Sequence, residues 1–247
     1  MAQGFDIAIF DLDGTVLDTL EDLALSVNHA LSEFGLPVRR QEEVRSFLGN
    51  GMKNLIHRSM PDPDMSGLMP QPGRCLEATC VTNRIAEMRA EHIEPQVLET
   101  FLAYYKIHMD DHTAPYPGIN GMLDDLRKAG VRTALVSNKG DFAVRNLIDR
   151  HFPGKFDFVT GEREGIKRKP APDMVKLAIE ALTDDPDAKV LFIGDSEVDV
   201  ETSKNAGLPC AAVTWGFRSL AQLKEAGAEI FVDTTEELKN LILGGAQ

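Results

Sequence analysis

Ile7-Ala8-Ile9-Phe10-Asp11-Leu12-Asp13-Gly14-Thr15 is an apolar run that ends in two carboxylates and a glycine turn. The run is short and lacks polar alternation, so it reads as a strand covered on both faces. A second stretch has the same form: Val190-Leu191-Phe192-Ile193, then Gly194-Asp195-Ser196-Glu197-Val198-Asp199. Carboxylates packed this densely repel one another. A hard divalent cation shared among them, Mg2+, relieves that repulsion. One carboxylate is then free to act as a nucleophile, and the combination points to phosphoryl transfer.

Further apolar runs extend the pattern on both sides. Asp6–Phe10, Val131–Val136, Phe156–Val159, Val190–Ile193, Cys210–Val213 and Ile230–Val232 all read as buried strands. Helical segments lie among them: Ile119–Ala129, Glu197–Ala206 and Leu220–Ala226, each followed by a glycine suited to a helix end. This alternation predicts an α/β protein with a parallel sheet and helices on both faces.

The stretch Thr15–Thr113 breaks the alternation and holds no convincing strand. Thr19-Leu20-Glu21-Asp22 predicts a helix start, with a carboxylate three residues after the threonine. Leu20, Leu23, Ala24, Val27, Leu31 and Phe34 follow helical spacing up to Gly35 and Pro37. Pro95 suits a first helical turn, and Leu98, Phe101, Leu102 and Tyr105 continue from it. The predicted organisation is a catalytic core of residues 1–15 and 114–247 with a helical domain, 16–113, inserted after the first strand. Pro61–Thr82 reads as a long loop, and Ala114-Pro115-Tyr116-Pro117-Gly118 as a rigid return linker.

The 247-residue chain has 43% hydrophobic residues, enough for a substantial core. Its net charge of −13 and pI near 4.9 argue against a nucleic-acid partner. No apolar run approaches membrane-spanning length. The acidic N-terminus is unlike a secretory signal, and three cysteines make no disulfide framework. A cytoplasmic monomer acting on a small phosphorylated metabolite is the expectation.

In an open parallel sheet, ligands bind beyond the carboxyl ends of the strands. Asp11, Ser137-Asn138-Lys139 and Asp195 all fall at such ends. Asp11 is the candidate nucleophile, able to form an aspartyl phosphate. Asp13 is the candidate acid–base, protonating the leaving alcohol and then activating water. Mg2+ would rest on Asp11, Asp195 and the Asp13 main-chain carbonyl, with Asp199 supporting the metal shell. Ser137, Asn138 and Lys139 can cradle phosphate oxygens, with Thr15 adding a hydroxyl hydrogen bond near Asp13. Lys169, in Lys167-Arg168-Lys169-Pro170-Ala171-Pro172, offers a fixed positive charge.

These motifs, in this order, resemble the haloacid dehalogenase-like (HAD) hydrolase superfamily, and the resemblance covers nearly the whole chain. It rests on Asp11-Leu12-Asp13-Gly14-Thr15, Ser137-Asn138-Lys139, Lys169-Pro170 and Gly194-Asp195-Ser196 with Asp199. It implies a three-layer Rossmann-like core and a cap domain that closes over the site. Phe47-Leu48-Gly49-Asn50-Gly51, Pro115-Tyr116-Pro117-Gly118 and Thr214-Trp215-Gly216-Phe217 make the chain most similar to the family's phosphoglycolate phosphatases. The resemblance implies substrate selection by Gly49, Asn50 and Gly51, with Arg45 and Lys53 nearby to suit a small, doubly anionic substrate.

Other members of the superfamily fit less well. A dehalogenase needs neither a metal nor an acid at Asp13. A phosphonate hydrolase lacks that acid. A sugar phosphomutase shares the core motifs, and a non-catalytic regulatory protein would leave no reason for every catalytic position to be filled. Cys75 and Cys80 lack a partner pair for zinc, and His108 and His112 read as a solvated helix end near the hinge. Trp215 reads as packing at the mouth of the core.

Overall fold

Ile7 and Ile9 point to one face of their strand and Ala8 and Phe10 to the other, and all four side chains are buried. That strand therefore needs cover on both sides, and the fold is built around this requirement. The computed structural model describes residues 4–61 and 93–245. The elements begin with β1 (Ile7–Phe10), β2 (Leu17–Asp18), α1 (Leu20–Glu33), α2 (Gln41–Phe47) and α3 (Gly51–Ser59). A helix over 93–108, here α4, precedes β3 (Ala114–Pro115) and α5 (Ile119–Lys128). Then come β4 (Arg132–Gly140), α6 (Asp141–His151), β5 (Phe158–Glu162), α7 (Asp173–Leu182) and β6 (Val190–Gly194). The chain closes with α8 (Glu197–Ala206), β7 (Cys210–Val213), α9 (Leu220–Glu225), β8 (Ile230–Val232) and α10 (Thr235–Leu243).

Six strands form one parallel sheet in the order β5-β4-β1-β6-β7-β8. Successive strands first step outward from β1 on one side and then resume on its other side. That reversal at β1 opens a crevice beyond the carboxyl ends of β1, β4 and β6. Met174, Val175, Ala178 and Leu182 of α7 cover Ile7 and Ile9. On the opposite face α5, α6 and α10 supply Ile119, Leu123, Val144, Leu147, Leu238 and Ile242 around Ala8 and Phe10. Each fully buried large side chain contributes roughly 1.5–3 kcal/mol. The result is the three-layer α/β architecture that the apolar runs predict.

Two strand boundaries differ from the apolar runs. β4 continues past Val136 to Gly140, carrying buried Ser137, Asn138 and Lys139 inside it. The hydrophobic pattern stops before the pairing does, because these side chains are buried by polar contacts. β5 begins at Phe158, two residues later than predicted, since the Phe156 ring packs edge-on against Phe10 and Phe152.

The segment between β1 and β3 also carries a strand that the sequence reading missed. β2 pairs antiparallel with β3, Leu17 opposite Pro115 and Asp18 opposite Ala114. A two-residue strand is too short to leave a pattern. The helix start predicted at Thr19 holds, with α1 beginning at Leu20, but no side-chain cap forms there. The Thr19 hydroxyl donates to Asp13 Oδ1 (2.5 Å). Buried Asp22 instead accepts from the His112 N–H (3.0 Å), the Thr113 N–H (2.8 Å) and the Thr113 hydroxyl (2.8 Å). The outgoing and returning linkers are thereby clasped together. His108 bonds to Asp111 (2.7 Å) and stacks on Tyr104 at the exposed end of α4, as the solvated reading of that helix end expects. Most of Pro61–Thr82, with Cys75 and Cys80, lies outside the described residues.

Candidate active site

The ends of β1, β4 and β6, joined by the residues before α7, surround one cavity of about 40 Å3. Asp11, Asp13, Ser137, Asn138, Lys139, Lys169 and Asp195 line its core side, and Gly49 and Gly51 its other side. Asp11 follows β1, with its N–H bonded to the Ile193 carbonyl (2.9 Å), which sets it beside β6. Gly14 turns the chain immediately after (φ 81°), and a Cβ there would lie 2.3 Å from Asp195 Oδ2. Only glycine permits this approach between the two acidic motifs.

Lys169 is the organising cation. Its Nζ lies 2.7 Å from Asp11 Oδ1 and 2.7 Å from Asp199 Oδ1, and all three side chains are almost wholly buried. The Asn138 amide holds the Lys169 carbonyl (2.9 Å), fixing the backbone that presents it. Burial raises the Asp11 carboxyl from 3.8 to about 7; Lys169 opposes the rise, and Asp199 and Asp13 add to it. Burial, then Asp199 and Asp11, push Asp195 well above its ordinary value. Burial alone would lower the Lys169 ammonium, but Asp11 and Asp199 outweigh it and hold the group above its usual range.

An oxygen from each of Asp11, Asp195 and Asp199 lies within 4.8 Å of the others. This buried all-oxygen donor set, with two carboxyls driven upward by burial and by their acidic neighbours, fits a hard divalent metal. Asp199, however, is heavily committed. Its Oδ2 accepts from the Asp195 N–H (3.2 Å), the Ser196 N–H (3.1 Å) and the Ser196 hydroxyl (2.6 Å), while Lys169 holds Oδ1.

Asp13 stands apart from that cluster. Lys139 Nζ approaches its two oxygens at 2.7 and 3.0 Å, and Thr19 donates to Oδ1. Lys139 thus spends its ammonium on Asp13, although the sequence reading assigns it to phosphate. The Thr15 hydroxyl reaches Asp195 Oδ1 (3.4 Å) and not Asp13, because the turn at Gly14 faces it toward β6. Ser137 and Asn138 do not cap α6, which starts at Asp141. Asn50 precedes α3 and is absent from the cavity lining. Arg45 and Lys53 are absent from it too: Arg45 binds the Gly216 and Phe217 carbonyls, and Lys53 is exposed.

The wall facing the carboxylates is apolar, built from Leu23, Leu48, Met52 and Leu55 with Phe217. Arg218 also lines the cavity, unforeseen in the sequence because no local pattern marks it. Its guanidinium is held by Glu197 (2.7 and 3.1 Å) and donates to the Arg45 (3.0 Å) and Leu48 (2.7 Å) carbonyls. Trp215 packs near Tyr116 and donates to the Thr15 carbonyl (3.1 Å).

Residues 8–213 match the family model for haloacid dehalogenase-like hydrolases. The chain belongs to that family. A phosphoglycolate phosphatase from Pseudomonas savastanoi pv. phaseolicola is 32% identical over 96% of this chain and 79% of its own length. One from Aquifex aeolicus is 29% identical over 87% of each chain. A crystal structure from Lactobacillus delbrueckii subsp. bulgaricus, provisionally named a phosphoglycolate phosphatase, superposes with a TM-score of 0.83. It is 38% identical to this chain and covers 98% of it and 100% of its own length. The hydrolase therefore resembles the phosphoglycolate phosphatases, and the expected class, a phosphoric monoester hydrolase, agrees with these matches. No helix among the described residues is long and apolar enough to cross a membrane.

Proposed function

We propose that this hydrolase is a Mg2+-dependent, cytoplasmic phosphatase that cleaves 2-phosphoglycolate through an aspartyl phosphate on Asp11. The observation that carries the reading is Asp11 itself: a buried carboxylate at the switch point of the sheet, paired through one oxygen to Lys169. Lys169 orients Asp11, leaves its second oxygen for in-line attack on phosphorus, and keeps positive charge beside the transferring group. Asp13 delivers a proton to the leaving alcohol and later takes one from the attacking water. Lys139 and Thr19 hold Asp13 in place, and Ser137 with its neighbouring backbone receives the phosphate oxygens. Asp11, Asp195 and the Asp13 carbonyl would hold Mg2+, which supplies charge compensation on the phosphoryl oxygens. Asp199, with its oxygens already engaged, acts as the support of Lys169 and of the turn bearing Asp195.

Substrate size follows from the opposite wall. The space between the walls is small, about 40 Å3, which favours a small anion over a bulky ester. Apolar Leu48, Met52 and Leu55 exclude water from the reacting centre when α2 and α3 sit over it as part of a cap. Relatives that carry the phosphoglycolate phosphatase name support the choice of substrate. The test is a phosphate-release screen with Mg2+ that ranks kcat/KM for 2-phosphoglycolate, sugar phosphates, nucleoside monophosphates and pyrophosphate. The highest value is expected for 2-phosphoglycolate, with no turnover in excess chelator. Isomerisation of a hexose 1-phosphate without phosphate release would replace this reading by a mutase.

A further inference from the structure

One peptide plane links a helix of the inserted segment to the Asp195 carboxylate. The Phe217 N–H donates to Asp195 Oδ2 (2.6 Å). The carbonyl of that same peptide, Gly216 C=O, accepts from Arg45 Nη2 (2.5 Å), and Arg45 Nε donates to the next carbonyl, Phe217 C=O (2.8 Å). An amide is planar and stiff, so moving its oxygen re-aims its N–H. A guanidinium on the oxygen also polarises the amide and strengthens its N–H as a donor.

Little slack exists in this arrangement. A Cβ at Gly216 would lie 2.3 Å from Asp195 Cβ and 2.5 Å from the Gly14 carbonyl, so the loop rests directly on both acidic motifs. Arg218, from the same loop, returns the contact. It donates to the carbonyls of Arg45 and Leu48, which bracket the end of α2, while Glu197 beside the Asp195 motif anchors it. Arg45 therefore holds the loop at Gly216 and Phe217 while Arg218 holds the end of α2 at Arg45 and Leu48, and neither guanidinium hydrogen-bonds to the Asp11–Asp195–Asp199 cluster.

We propose that Arg45 and Arg218 are positioning residues that couple docking of α2 to the aim of the Asp195 carboxylate. Cation binding and closure of the helical segment then favour each other. The proposal rests on the reading of Asp195 as a cation ligand. With α2 docked, Asp195 Oδ2 is committed to Phe217, and Oδ1, with only a long contact from Thr15, would be left to hold the cation. With α2 released, the peptide loses its charged partner and Asp195 loses its fixed orientation. Linkage requires the effect to be reciprocal.

Two readouts that do not depend on turnover test this. Hydrogen exchange of the wild-type protein should show the amides of 41–47 slowing when saturating Mg2+ is added, although α2 supplies no ligand. Mn2+ titrations followed by electron paramagnetic resonance should show affinity falling about five- to twentyfold in Arg45→Met and in Arg218→Met, the usual range for coupled sites. Arg45→Lys should recover part of that loss, and the double variant should lose little more than the worse single variant. Unchanged exchange in 41–47 at saturating Mg2+, or single variants that bind Mn2+ like wild type, would overturn the coupling alone. A wild-type protein that binds no Mn2+ would overturn both the coupling and the cation site.

Discussion

The two walls of the cavity are built on opposite principles. The core wall is dense in charge: Asp13 meets Lys139 and Asp11 meets Lys169 at close range, with Asp195 beside them. The wall from the helical segment offers Leu23, Leu48, Met52 and Leu55. Charge held rigidly in a dry site acts on a developing transition state at little reorganisation cost, whereas apolar cover keeps that site dry. Stability bears the cost on the core side alone, where burial drives the Asp11 carboxyl up to about 7.

Asp11→Asn probes that contrast most severely. Turnover should fall at least about a thousandfold with the fold retained, as for loss of a nucleophile. The same variant should melt higher than wild type in chelator at pH 7.5. The sign follows from the raised carboxyl. Between the ordinary 3.8 and about 7 the folded state binds more protons than the unfolded one, so this group's contribution to stability declines as pH rises through that window. Thermal melts at pH 4.5 and 7.5 should show a shallower decline in the variant; an equal decline would mean that Asp11 carries no such cost.

Lys169→Met comes next. Removing the cation from two buried carboxylates should cost roughly 3 kcal/mol in urea unfolding at pH 7, and should slow kcat about a hundredfold. Unchanged stability would show that Asp11 and Asp199 do not depend on Lys169. Asp22→Ala lies between the walls, at the clasped linkers. Loss of the acceptor for the His112 and Thr113 amides should cost about 1–3 kcal/mol, with kcat lowered only severalfold; equilibrium unfolding and steady-state rates measure both. Met52→Ala on the apolar wall should be the mildest. KM for 2-phosphoglycolate should rise a few-fold against that of a bulkier ester, while kcat holds within about twofold. A larger drop in kcat would place Met52 in the chemistry.

These contrasts explain which parts were legible. The carboxylates of the core wall end short apolar runs, and their spacing survives as a pattern along the chain. Asp22 belonged to a pattern that correctly marked the start of α1 but not the partners of its carboxylate. Its place three residues after Thr19 fits a capping box, but amides 90 and 91 residues away claim the carboxylate, and Asp13 claims the Thr19 hydroxyl. Lys139 sits in register with Ser137 and Asn138, yet its long stem carries the ammonium to Asp13. Nothing local to Arg45 or Arg218 reveals that Arg45 binds the Gly216 and Phe217 carbonyls or that Arg218 binds those of Arg45 and Leu48.

By itself, the sequence determined the six strands of the main sheet, their α/β alternation and the delivery of Asp11, Asp13, Asp195 and Lys169 toward a common edge of it. These follow from near-neighbour hydrophobic patterning and from turn chemistry, which act over a few residues. Tertiary structure decided how the charges pair: Lys169 with Asp11 and Asp199, Lys139 with Asp13, and Arg45 and Arg218 across the cavity. Such pairings depend on distances between side chains far apart in the chain, and in a buried site those distances control which charge is compensated.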